Sequence, residues 1–144
     1  MTCKQLSVFI ENRKGTLSKV LNVLKDANVS ILSMSLADTT EYGLLRLIVN
    51  NPDDGKTALS TAGYSSLVTN VLIVKIPHVA GSLQELLDKV EKSDINIEYM
   101  YGLSIEDNDA YVVFKTSDTE KTSKLFEENG IETLTPADLL KVKL

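Results

Sequence analysis

Apolar residues recur at i, i+3, i+4 and i+7 twice along the chain, at Leu17, Val20, Leu21 and Leu24 and again at Leu83, Leu86, Leu87 and Val90. That spacing collects them on one stripe and predicts an amphipathic helix in each place, the first from Thr16 to about Asp26. Around the stripes the period changes. Gln5 to Ile10 alternates as a half-buried strand does, and Ser30 to Leu36 and Leu44 to Val49 predict two further strands, parted by the polar turn Asp38-Thr39-Thr40-Glu41. Asn28 suits a left-handed end to the first helix. Asn51 is a good N-cap for a second helix, Pro52 fits its first position, and Asp53 and Asp54 complement its dipole. Gly63 should stop that helix, and a strand over Tyr64 to Val68 closes the pattern.

The same order then returns. Glu11-Asn12-Arg13-Lys14-Gly15-Thr16-Leu17 is answered by Pro77-His78-Val79-Ala80-Gly81-Ser82-Leu83, 66 positions later. Asn28-Val29-Ser30-Ile31 matches Asp94-Ile95-Asn96-Ile97, and Met34 matches Met100. At an unchanged shift, Leu45–Val49 pairs with Tyr111–Lys115. One inserted residue, placed after these strands, then brings Ala62-Gly63-Tyr64 onto Asn129-Gly130-Ile131. Ser117-Asp118-Thr119-Glu120 reads as a capping box. The expected fold is therefore α+β: two tandem ferredoxin-like βαββαβ units with antiparallel sheets, each with two helices on one sheet face and the other face open to a partner. A boundary is expected near Asn70, before a strand over Val71 to Ile76, giving domains 1–70 and 71–144. Units of about 70 residues bury little core alone, so the halves should pack together.

Composition removes several classes of function. A net charge of −5, a pI near 4.9 and basic residues scattered among carboxylates argue against nucleic acid. The longest apolar runs, such as Leu47 to Val49, are far too short for a membrane span, and Met1 to Ile10 lacks a signal-peptide block. The single cysteine, Cys3, cannot form an internal disulfide; it reads as an incidental thiol, and a cytoplasmic location is expected. His78 is the only histidine, and His78-Val79-Ala80 supplies no further metal ligand. No nucleophile–base pair, P-loop or dinucleotide fingerprint is present, so we expect no catalytic residue, metal or cofactor.

The residues with chemical interest lie at the two strand-to-helix turns. Gly15 and Gly81 open helices directly after strands, where backbone N–H groups attract a carboxylate; each glycine also suits a turn that needs φ > 0. Asn12 can donate to a carboxylate and accept from an ammonium group, or can bond its own backbone as an Asx turn. His78, its counterpart, is an exposed turn histidine or a ligand contact. Arg13 and Lys14 would suit an anionic ligand, or are simply solvated. Tyr99, Met100 and Tyr101 read as packing residues, and Glu106, Asp107 and Asp109 as a solvated hairpin connection.

This doubled order resembles the ACT family across essentially the whole chain. Glu11-Asn12-Arg13-Lys14-Gly15 resembles the first turn of the serine-sensing ACT domain in phosphoglycerate dehydrogenases, with Lys14 and Ala80 where that turn usually carries proline. The run Asn96-Ile97-Glu98-Tyr99-Met100-Tyr101 is similar to one in stand-alone tandem ACT proteins of bacteria. The family's asparagine before the second strand falls on Ser30 in one half and on Asn96 in the other. The resemblance implies a non-enzymatic regulatory module that binds a small ligand, an amino acid, where ACT domains meet. It also implies ligand contacts at the turns, at Thr16, Leu17, Ser82 and Leu83 on the helix starts, and at Ser30 and Asn96. A homodimer is the expected assembly, with a separate metabolic enzyme as its partner. The rival expectations are a ligand-free protein-interaction module and a small ferredoxin-like enzyme or metal carrier, the latter weakened by the lack of a Cys-x-x-Cys loop.

Overall fold

The computed structural model describes residues 2–38, 41–106 and 108–141. Thr39 and Thr40 of the first polar turn, and Asp107 of the second, lie outside them. The chain divides into two units, Lys4–Thr69 and Asn70–Leu144, the second including the start of the chain to Cys3.

The first unit comprises β1 (Cys3–Glu11), α1 (Thr16–Asp26), β2 (Ile31–Asp38), β3 (Tyr42–Val49), α2 (Pro52–Thr61) and the beginning of β4 (Ser65–Pro77). Its strand order is β2-β3-β1-β4. Leu6, Val8 and Ile10 of β1 face Leu47, Leu45 and Gly43 of the antiparallel β3. The apolar side chains of these rows meet Val20 and Leu24 of α1 and Leu59 of α2 in one buried cluster. Val23 joins the helix stripe alongside Leu17. Local signals end the helices as expected. Asn28 has φ 58° and Gly63 φ 89°, and the Asn51 side chain accepts from Asp54 N at 3.1 Å.

The second unit repeats this plan with the remainder of β4, α3 (Ser82–Lys92), β5 (Ile97–Glu106), β6 (Asp109–Thr116), α4 (Thr119–Glu128), β7 (Glu132–Thr133) and α5 (Pro136–Leu139). Its order, β5-β6-β4-β7, is the same as in the first unit, and these pairings are antiparallel. Leu72, Val74, Val112, Phe114, Leu86, Val90 and Phe126 form its core.

Four expectations need correction. The two strands expected over Tyr64–Val68 and Val71–Ile76 are one continuous strand, β4. Thr69 and Asn70 supply no turn residue that forces a bend, so the extended backbone runs through them. The final strand shrinks to Glu132–Thr133, and a short helix follows, opened by a capping box between Thr135 and Asp138. The cap of α4 is Asp118 rather than Ser117; Asp118 accepts from Lys121 N at 3.0 Å, while the Ser117 hydroxyl accepts from Asn96 N at 3.1 Å. Finally, the inserted residue lies earlier than expected. Leu36 pairs with Leu45 in the first unit and Gly102 with Val112 in the second, so β3 and β6 are already offset by 67. The extra residue sits in the β5 irregularity between Gly102 and Ser104, a bulge that places two residues opposite one.

Candidate functional site

The turn after β1 is built around a left-handed glycine. Gly15, at φ 87° and ψ −10°, is the N-cap of α1, and Gly81, at φ 90° and ψ −14°, is the N-cap of α3. Residues with a Cβ rarely adopt this conformation, so the turn itself requires glycine in both places. A Cβ added at either position would meet nothing within 4 Å, so the space in front of each helix start is open. Neither helix has a side-chain cap, whereas α2, α4 and α5 are capped by Asn51, Asp118 and Thr135. Both helix starts thus lack a side-chain acceptor; the first turn of α1 holds no acidic residue, while that of α3 holds Glu85.

In the first unit a cavity of about 340 Å³ adjoins this turn, lined by residues that include Glu11, Arg13, Thr16, Lys19 and Tyr64. Glu11 and Arg13 form an exposed ion pair through Oε2 and Nη2. The turn is held by Asn12 N donating to Glu41 O at 3.0 Å and Arg13 N donating to Glu11 O at 2.9 Å. One wall therefore carries both signs of charge beside a helix start. Such a wall can meet a carboxylate and an ammonium group of one small molecule.

Of the expected site residues, Arg13 and Thr16 line this cavity, while Asn12, Lys14 and Gly15 are exposed on the adjoining turn. Leu17 packs against the hydrophobic core. Ser30 lies at the other end of the sheet, where Ser30 N donates to Asn50 Oδ1 at 2.9 Å. In the second unit His78 is exposed and lines a separate cavity of about 440 Å³ beside β5 and β6. Its backbone N donates to Asn108 O at 2.6 Å. Gly81 is exposed, Ser82 is half-buried, and Leu83 is partly exposed on the first turn of α3. Asn96 stands at the far end of its sheet, held to Ser117. Within each unit, then, the turn residues gather at one end and Ser30 or Asn96 at the other.

The sequence reading did not single out Glu11, Lys19 or Tyr64. Lys19 follows Thr16 by three positions and shares its helix face, a signal that periodicity carries. Tyr64 stands just before the distant β4, and no local pattern announces it. Among the described residues no group of three or more His, Cys, Asp or Glu side chains is placed to hold a metal, and no helix is long and apolar enough to cross a membrane.

Comparison with known proteins places this architecture. The family model of the ACT domain pair matches residues 1–143, and the chain belongs to that family of regulatory domains. The crystal structure of protein BT0572 from Bacteroides thetaiotaomicron is similar, with a TM-score of 0.93 and 33% identity over 99% of this chain and 98% of that one. The fold also resembles the ligand-free regulatory subunit of aspartate kinase from Thermus thermophilus, with a TM-score of 0.64 and 13% identity over 87% of this chain and 90% of that one. Clostridium acetobutylicum aspartate kinase, an allosteric enzyme, matches with a TM-score of 0.54 and 15% identity, over 88% of this chain and 33% of that one. No curated protein is similar enough in sequence to count as a match.

Proposed function

We propose that the chain is a non-enzymatic sensor whose two ACT domains, residues 1–70 and 71–144, bind an amino acid and transmit its presence to a separate metabolic enzyme. The observation that supports this most directly is the paired set of uncapped, glycine-opened helix starts, one of them beside a wall bearing Glu11, Arg13 and Lys19. The helix start and Arg13 would take the ligand carboxylate, and Glu11 its ammonium group. Asn12 and His78 occupy matching places on the two turns and would select between ligands. Lys14, Gly15 and Thr16, with Gly81 and Ser82, would let the ligand approach the backbone; Leu17 and Leu83 would contribute packing. Because Ser30 and Asn96 lie at the opposite ends of their sheets, a ligand touching them as well as a turn must draw on two domains. A cytoplasmic homodimer could provide that pairing.

A thermal-shift panel of the twenty amino acids tests the reading. A ligand at about 100 times its dissociation constant adds about 2.7 kcal/mol of stability. For a chain of this size that is a melting shift of several degrees. Asn12→Ala and His78→Ala should each reduce the shift if the corresponding turn binds. No shift with any amino acid would replace this reading with a protein-interaction module.

A further inference from the structure

The two units differ at one end of the second sheet, on the face that carries the helices. In the first unit Val8, Leu45 and Leu36 form one row across the strands, and Ile10, Gly43 and Asp38 form the next. The corresponding rows in the second unit are Val74, Val112 and Gly102, then Ile76, Ala110 and Ile105. Residues opposite one another in adjacent antiparallel strands share a face, so these rows lie on the same side as the core residues Val74 and Val112.

In the first unit the Leu36 side chain fills this place. Leu36 is 48% exposed, and a Cβ at Gly43 would lie 3.1 Å from Ile10 Cγ1 and 3.3 Å from Leu36 Cδ1, so the glycine makes room for both side chains. In the second unit the leucine has become Gly102, and only the methyl group of Ala110 has been returned. A Cβ at Gly102 would meet nothing within 4 Å. The bulge that follows Gly102 turns Ser104 toward Tyr111 and lets Ile105 resume the helix-side row. At this point lies the cavity of about 440 Å³, bounded by His78, Ala110, Tyr111, Val112 and the bulged stretch from Gly102 to Ile105. That volume is within the range of small-molecule clefts. At its rim Ile105, 63% exposed, pairs with Ala110 at the register position that Asp38 holds opposite Gly43 in the first unit.

We propose that this cavity binds a small ligand with a branched aliphatic end, which takes the place that Leu36 fills in the sister unit. The hydrocarbon end lies over Gly102 against Val112, Ala110 and Ile105, and burying it removes apolar surface from water on both sides. His78, an exposed polar side chain at one end of the lining, would meet the acidic head of such a molecule. Branched-chain amino acids and the carboxylic acids derived from them have this form. The site adjoins the second glycine turn, from which it takes His78, and extends along β5 and β6 beyond the amino-acid reading above.

The test is a methyl and amide NMR titration of the full chain with leucine and with 4-methylpentanoate, which keeps the branched chain but lacks the ammonium group. Glycine and acetate serve as controls without the chain. Both branched probes should move the Ile105, Ala110 and Val112 methyl signals in a saturable way, and the controls should not. Gly102→Leu, which restores the leucine of the first unit at a position without a positive φ, should weaken binding by about tenfold or more. Ile105→Ser, at an exposed position, should weaken it as well and serves if the leucine variant folds poorly. Shifts from acetate equal to those from 4-methylpentanoate, unchanged binding in both variants, or no movement at these methyls would overturn the proposal. Leucine signals confined to Asn12–Thr16 or Gly81–Ser82 would also overturn it while leaving the amino-acid reading intact. Methyl shifts from 4-methylpentanoate but from no amino acid would support this site and count against that reading.

Discussion

The hydroxyls of Thr116 and Thr122 lie 2.7 Å apart, both in fully buried residues, and join β6 to α4. Thr122 Oγ1 also donates to Asp118 O at 2.7 Å. A hydroxyl has one proton, so Thr122 accepts from Thr116 and donates to the backbone. The corresponding pair in the first unit is Val49 and Gly55, which has no such link.

The direction of that chain predicts unequal mutants. Thr122→Val leaves the Thr116 proton buried without an acceptor and should cost about 1–3 kcal/mol. Thr116→Val removes a donor but leaves Thr122 bonded to Asp118 O, so it should cost about 1 kcal/mol or less. Urea denaturation of the two variants decides the matter. Equal losses would mean the protons are arranged otherwise.

Gly55 makes the contrasting junction in the first unit. A Cβ there would lie 3.0 Å from Leu6 Cδ2 and 3.5 Å from Leu24 Cδ2, and both leucines are fully buried. Helix α2 approaches the sheet this closely because the residue has no side chain. Gly55→Val should destabilise the protein by about 1–3 kcal/mol through overpacking. Ser60→Ala, on the exposed side of the same helix, should stay within about 0.5 kcal/mol. Paired thermal melts check both values; a neutral Gly55→Val would show that Leu6 can move aside.

Cys3 is 1% exposed and its thiol donates to Leu134 O at 3.3 Å. Burial, then the nearby Asp138 carboxylate, pushes its pKa from the ordinary 9.0 to about 11. The folded state therefore favours the neutral thiol. The stability this contributes is fully present below pH 9.0 and is lost as the pH rises through about 11. Between those values the wild type should lose more stability than Cys3→Ala, whose other titrating groups are the same. At neutral pH, iodoacetamide should label Cys3 only as fast as the chain opens. Rapid labelling of the folded protein would contradict its burial.

The course of the chain was legible where local chemistry decides it. The stripe of Val20 and Leu24, the N-cap at Asn51 and the left-handed stops at Asn28 and Gly63 depend on neighbours close in sequence. The turns of the proposed site were legible for the same reason: Gly15 and Gly81 mark turns that only a few residue types can make. The misplaced insertion shows the limit. An extra residue in a strand changes which residue faces which partner, and Leu103 resembles any other strand leucine until β6 is laid beside it. Likewise Ser117 and Asp118 are both good caps. The choice between them is made by Asn96, whose backbone N–H takes the Ser117 hydroxyl. Tyr64 joins the first cavity through tertiary folding, to which a sequence window is blind.

The two roles of Gly15 can be separated by experiment. Its φ of 87° makes any side chain costly for the backbone, while the open space around its Cβ direction makes none of them costly for packing. Asparagine tolerates the left-handed region better than alanine, which should lose about 1–2 kcal/mol there. Gly15→Asn should therefore be the more stable of the two variants. If the glycine serves only the turn, amino-acid binding should follow stability, with Gly15→Asn close to wild type. If a ligand lies against the helix start, both variants place atoms in its path, and Gly15→Asn, the larger, should bind no better than Gly15→Ala despite its better fold. Calorimetric titration with the best amino acid, beside a thermal melt of each variant, reads both quantities. Wild-type affinity in Gly15→Asn would remove the open space at α1 from the binding site.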